Sequence, residues 1–360
     1  MLIFLLACTG ADSAKDTADT ASGAYGTVAL FGGDGRALTT IGTADDGLVF
    51  PRDLTFAPET GLLWVADAAF AGTVIYTDAG EASQAAEVRV DAYGAHFMDT
   101  VSGLAFGPDD TFASCQESRD DWNEGPQAED DFMGPSLWDA DLDVYAVVGQ
   151  TGDELEGSHI DMLHESPLCM GIGHAPMPGP DNAYFVFDGL NGHVVYYDFQ
   201  ADHGPGNGDH SDGIVRRYEE ATVTRVEGVP GHVVADDATG WVYVADTGGG
   251  RVLRLDSASG EASAIRSGAH ERLEEYSRVE GVTVETFATD LGEPSGLALF
   301  GEVLYVGDHA TGEIVAYDMD GMERGRLATG ATSLMGLEVG PDGHLWYVDA
   351  GAATVTRVDP

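Results

Sequence analysis

The chain has 360 residues, 43% of them hydrophobic, and carries 62 Asp and Glu against 16 Lys and Arg, a formal net charge of −46. That is ample apolar material for a large core, and so negative a surface excludes nucleic acid as a partner, because the phosphates would be repelled. Lys15 is the only lysine and precedes the repetitive part of the chain, so Schiff-base chemistry and a lysine base are excluded there and any catalysis falls to His, Asp, Glu, Tyr, Arg, Cys or a metal.

The first seven residues are apolar and lead to Cys8. Leu5-Leu6-Ala7-Cys8 resembles the lipobox of bacterial lipoproteins, in which the signal peptide is cut before a cysteine that then carries lipid. The resemblance implies a signal peptide and lipobox over 1–8. Residues 9–25 are small, polar and acidic, a composition that forms no core and acts as a flexible linker. The folded unit is expected over 26–360. The apolar run is too short to span a bilayer, so membrane contact is expected only through the lipid. The implied destination is the outer membrane, periplasm or cell surface. Cys115 and Cys169 are then left to pair, to stay as buried thiols or to act as soft ligands.

From Asp53 onward one phrase returns: a short apolar strand, a second strand ending in Asp, and a third after a small-residue turn. It reads Leu63-Trp64-Val65-Ala66-Asp67 then Thr73-Val74-Ile75-Tyr76. It returns at Trp241–Asp246 with Arg251–Asp256, at Val303–Asp308 with Glu313–Asp318, and at Leu345–Asp349 with Thr354–Asp359. Weaker copies begin near Ser102 and Met170. Such a unit cannot bury both faces alone, so copies must stack. The phrase resembles the NHL repeat, and the resemblance implies an all-β fold: a six-bladed β-propeller of four-stranded blades. First strands are expected near Asp53, Ser102, Met170, Gly231, Ser295 and Met335. The last copy lacks a fourth strand, and residues 36–41 are apolar enough to supply it and close the ring. Thr27 to Phe31 is a further strand with no assigned place. Residues 117–143, 201–213 and 263–281 interrupt the rhythm. Within the third, His270 to Tyr276 is expected as a short helix.

Strand direction then sorts the polar residues by face. The Asp after each second strand is expected to cap its turn by accepting backbone N–H bonds. His96, His164 and His232, from separate blades, are expected to meet at the axis as an open three-imidazole site for Zn²⁺, Cu²⁺ or Fe²⁺, with His159 and His309 as alternates. The Gly-rich turn with Asp202, Asn207, Asp209 and Asp212 offers closely spaced oxygens for Ca²⁺, on the opposite face.

Two functional classes follow. One is a binding module, an exported and lipid-anchored monomer that holds a small molecule, glycan, peptide or protein on its loop-rich face. The other is a metal-dependent lyase or hydrolase. That class is implied by similarity of the repeat plan to the peptidyl-hydroxyglycine lyases and gluconolactonase-like propellers. There Glu117 or Asp308 would be the base and Arg52 or Arg119 would hold an acidic substrate.

Overall fold

A computed structural model describes residues 36–108, 110–119, 131–150 and 155–359. The expected signal peptide, Cys8, the linker and the strand at 27–31 lie outside the described residues. Nearly all the regular structure of the described chain is strand. β1 (Ala37–Gly42) comes first. Blade I is β2 (Pro51–Phe56), β3 (Leu63–Asp67), β4 (Gly72–Thr77) and β5 (Ala85–Arg89). A one-turn helix, α1 (Gly94–Phe97), leads to blade II, which is β6 (Val101–Phe106), β7 (Thr111–Gln116), β8 (Ser136–Asp139) and β9 (His159–Met162).

Blade III is β10 (Cys169–His174), β11 (Ala183–Asp188), β12 (His193–Asp198) and β13 (Ile214–Thr222). Blade IV is β14 (Val233–Ala235), β15 (Trp241–Asp246) and β16 (Arg251–Asp256), completed by β19 (Val284–Ala288). The hairpin between them, β17 (Glu261–Ala264) and β18 (Glu275–Glu280), instead joins blade III, where β18 lies parallel to β13. Blade V is β20 (Pro294–Phe300), β21 (Val303–Asp308), β22 (Glu313–Asp318) and β23 (Glu323–Ala328). Blade VI is β24 (Leu334–Val339), β25 (Leu345–Asp349) and β26 (Thr354–Asp359), with β1 paired to β26 as the fourth strand.

The innermost strands pack in sequence, β2 on β6, β6 on β10, β10 on β14, β14 on β20, β20 on β24 and β24 back on β2, so the ring is closed. The blade order and the closing strand match the sequence expectation. Among the described residues no helix is long and apolar enough to cross a membrane.

Alternation of Val, Leu, Tyr and Trp along each strand sends one row of side chains toward each neighbouring blade. Between blades I and II, Trp64 lies with its ring centre 5.1 Å from those of Phe112 and Tyr145, all buried. The Asp closing each second strand is a staple, as expected. Asp67 accepts from the backbone N–H groups of Val49, Phe50 and Ala69 at 2.7–3.0 Å. Asp308 takes those of Gly292, Glu293 and Ala310, and Asp349 takes Thr332, Ser333 and Gly351. Blade II has Gln116 at that place, accepting from Asp99 N at 2.9 Å. Asp308, a candidate base from the sequence, is therefore committed to its turn.

Two features differ from or complete the sequence picture. Residues 270–276 form no helix. The pairing of β18 with β13 begins at Glu275 opposite Ile214, and this tertiary ladder outweighs a run with helical propensity. Cys115 on β7 and Cys169 on β10 are joined in a disulfide, with Cα atoms 5.4 Å apart, a covalent stitch between blades II and III.

Candidate functional site

Cross-strand register makes six positions of the inner strands equivalent: Asp53, Gly103, Gly171, His232, Gly296 and Gly336. Four are glycine because the axis is crowded. A Cβ on Gly336 would come within 2.6 Å of Asp53 Cα, and one on Gly171 within 2.2 Å of the Gly231 carbonyl. The two blades that carry a side chain there carry Asp53 and His232, and these two meet. His232 Nδ1 lies 3.2 Å from Asp53 Oδ1.

Asp53 is fixed by its backbone neighbours, with Leu54 N donating to Oδ1 and Leu104 N to Oδ2, both at 2.8 Å. Burial pushes its carboxyl well above the usual range. Burial also lowers His232 to about 4, against a hydrogen bond to the Arg52 backbone that raises it. The imidazole is therefore neutral at ordinary pH. His232 is 5% exposed, and its Nε2 has no hydrogen-bond partner.

Two residues further along the inner strand, the same register sets Thr55, Ala105, Gly173, Val234 and Ala298 level with Glu338. The step is about 6–7 Å on the same strand face. Asp53, His232 and Glu338 thus line one cavity of about 330 Å³, which extends to Pro58, His174 and Asp237 at the ends of the inner strands. An adjoining, more apolar hollow of about 340 Å³ shares Pro58, Phe106 and His174 with it.

Burial pushes the Glu338 carboxyl up to about 7 from 4.5. The folded protein binds that proton more tightly than the unfolded chain. The resulting stabilisation is full below about pH 4.5 and is lost as pH rises through about 7. Replacing Glu338 by Gln should therefore give a melting temperature that gains on the wild type through that window and runs parallel to it above. A difference that does not change with pH would show that the carboxyl is ordinarily solvated.

A second polar concentration lies at the rim, between blades II and III. β9 is the outermost strand of its blade, so His159 and the connector carrying His164 stand far from the axis. The 201–213 turn reaches across, with Gly206 N donating to the His159 carbonyl at 2.7 Å. The 263–281 insertion brings Glu271. Its Oε1 accepts from His164 N at 2.7 Å, and its Oε2 lies 3.0 Å from His164 Nδ1 and against His210 Nδ1. Burial would raise the Glu271 carboxyl, but hydrogen bonds and charge from His164 and His210 outweigh it and hold it down at about 2. Burial lowers His164. It would lower His210 too, but the Glu271 hydrogen bond and charge raise that ring. Phe132 stacks flat on His164, ring centres 3.7 Å apart. The cavity beside them, about 290 Å³, is also lined by His96, His159 and Gly206 to Gly208.

The three-imidazole centre expected at the axis is therefore not assembled. His96 and His164 share the rim cavity, whereas His232 lines the channel. A connector leaving an outermost strand starts at the rim, so strand direction alone does not bring its imidazole to the axis. Of the alternates, His159 lines the rim cavity with His96 and His164, its Nδ1 facing the Glu156 carbonyl at 2.8 Å, whereas His309 is held elsewhere, its Nδ1 facing Glu293 Oε2 at 2.7 Å.

Among the described residues, two groups bring three ligand atoms within 4.8 Å of one another: His164 with His210 and Glu271, and Asp161 with His203 and Asp212. Of the residues expected to hold Ca²⁺, only Asp212 is in either. Asp202 accepts from Gly204 N, Asp209 from Ser211, and Asn207 donates to the Pro205 carbonyl. His210, expected on the opposite face from His164, touches the same carboxylate.

The remaining catalytic candidates are paired. Arg52 Nη2 meets Glu117 Oε2 at 2.7 Å, and Arg119 meets Asp131 at 2.7 Å. Glu338, Glu271 and Asp161 were missed. Glu338 had a visible signal, a charge at an inner-strand position where the other blades carry small or β-branched side chains.

No family model matches the chain, and no curated protein does. Solved structures do. An auxiliary nutrient binding protein from Bacteroides thetaiotaomicron VPI-5482 is 10% identical over 90% of this chain and 76% of that one, with a TM-score of 0.57. The calcium-binding protein regucalcin from Agrobacterium tumefaciens is 13% identical over 86% and 90%, TM-score 0.51. A gluconolactonase from Xanthomonas campestris is 14% identical over 92% of each chain, TM-score 0.51. At these identities the likeness bears on the fold alone, and it agrees with the six-bladed β-propeller built up above.

Proposed function

We propose that this protein is an exported, NHL-like binding propeller that takes a small polar solute, neutral or cationic, into its central channel. The observation that carries the reading is His232 Nε2, buried in the channel wall without a partner. An unmet buried polar atom costs about 1–3 kcal/mol, and a solute hydroxyl or amine would meet it. Asp53 and Glu338 supply acceptors on the same wall, and the net charge of −46 disfavours anions. A cavity of about 330 Å³ lies at the small end of the ~300–1,000 Å³ common for ligand sites.

Export is supported by the Cys115–Cys169 disulfide, since such bonds persist in oxidising compartments. Removal of a leader over 1–8, lipid on Cys8 and a tether over 9–25 belong to the same proposal.

The channel is tested by calorimetry and thermal shift with glucose, putrescine and gluconate as neutral, cationic and anionic probes. A neutral or cationic probe should bind, and His232→Ala should weaken it on the order of tenfold, as expected for a lost buried hydrogen bond. Preference for gluconate, or unchanged binding by the variant, would end the reading. A hydrolase is the second reading, favoured by the same pair. Asp53 beside Nδ1 would orient a neutral imidazole whose Nε2 could take a proton from water. Hydrolysis of small lactones, lost in His232→Ala, is its test.

A further inference from the structure

We propose that the rim cavity between blades II and III is a zinc site, with His164, His210 and Glu271 as its ligands and the fourth position open to the cavity. Each of the three stretches that interrupt the repeat sends a residue here, although the first also carries β8 of blade II. Phe132 comes from the first, His210 from the second and Glu271 from the third. The extra hairpin β17–β18 follows the same logic, because docking β18 on the edge of blade III holds Glu271 over the His164 connector.

The donors are two imidazole nitrogens and one carboxylate oxygen within 4.8 Å of one another. That set suits tetrahedral Zn²⁺ with a water or ligand in fourth place, whereas Ca²⁺ takes six to eight oxygens. The ligands are braced as such sites require. The His164 backbone N–H holds Glu271 Oε1 and leaves Oε2 to face both rings, and Phe132 fixes the plane of His164.

A separate observation points the same way. Asp161 is fully buried; its Oδ1 accepts from Met162 N at 2.7 Å, and its Oδ2 has no hydrogen-bond partner and faces His203 Nε2 at 3.8 Å. It lies beside His210, since a Cβ on Gly208 would stand 3.2 Å from both Asp161 Oδ1 and His210 Nε2. A buried carboxyl this close to the ligand set is costly to ionise alone, and a cation bound beside it offsets that cost. The open side of the site faces about 290 Å³ of space lined by His96 and His159, room for a zinc-bound water and a small anionic or carbonyl ligand. This inference is independent of the channel reading.

The test uses the untagged full chain and zinc alone. Metal analysis and competition with a chromophoric chelator should give one Zn²⁺ per chain. His210→Ala and Glu271→Gln should each weaken it on the order of 100-fold or more, while His344→Ala leaves it unchanged. Glu271→Gln keeps the side-chain shape, and its melting temperature without metal reports folding. Cobalt substitution should give the visible bands of a tetrahedral centre in the wild type only. Failure of the wild type to bind zinc would overturn the proposal. So would loss of zinc in His203→Ala with retention in His210→Ala, which would move the ion to the Asp161–His203–Asp212 group.

Discussion

Replacing Cys115 and Cys169 together by alanine should lower stability by about 4 kcal/mol. The bond spans a sequence separation of 54 residues, and the chain-entropy relation for a loop of that size gives ~4 kcal/mol of lost unfolded-state freedom. Packing acts in the same direction, because both residues are fully buried against Leu137, Ile172 and Tyr184. The bond also joins a second strand of one blade to the first strand of the next, so it resists separation of blades rather than fraying of a hairpin. Urea unfolding of the variant, beside the wild type with and without reductant, measures the effect. Equal midpoints in all three samples would mean that the cysteines act as ordinary buried thiols.

The second large effect is expected at Arg52. Its side chain is fully buried, donating from Nη2 to Glu117 Oε2 at 2.7 Å and from Nη1 to the Thr100 carbonyl at 3.0 Å. Glu117 in turn takes Arg225 Nη1 at 2.8 Å and the Gly228 N–H at 3.0 Å. The network links blades I and II to the connector ahead of blade IV. Arg52→Ala leaves the Glu117 carboxylate in a dry site with one of its two cations gone, and should cost about 3–5 kcal/mol. Arg52→Met combined with Glu117→Gln removes both charges and should cost clearly less than the sum of the single changes. A double-mutant cycle in urea reads that coupling. Strict additivity would show that the two charges are solvated and act independently.

The propeller was legible because strand patterning is local. Trp241-Val242-Tyr243-Val244-Ala245-Asp246 and its relatives alternate with period two and end at the same staple, so blade number and order follow from the chain alone. The fourth strand of blade VI was legible as well, since a three-stranded last copy leaves an edge to pair and residues 36–41 are apolar enough to cover it, as β1 does. His232 was legible as axial by comparison with Gly296 and Gly336.

What failed was radial position. His159 lies on an outermost strand and His164 follows it, and nothing local in Ser158-His159-Ile160-Asp161 distinguishes that stretch from a connector approaching the axis. Glu271 was hidden in a helix-like run whose fate was decided by the distant β13. Strand direction places the 201–213 turn on the other face, but the turn is long enough for Gly206 to reach the His159 carbonyl and for His210 to reach Glu271.

The pairing of Ala37 with Asp359 has a consequence for anything attached to the protein. Both ends of the described chain leave at one outer corner of blade VI. Whatever continues from the described chain at Arg36 or at Asp359 therefore starts at the disc's edge, on an outer strand of blade VI, and not at the mouth of the channel.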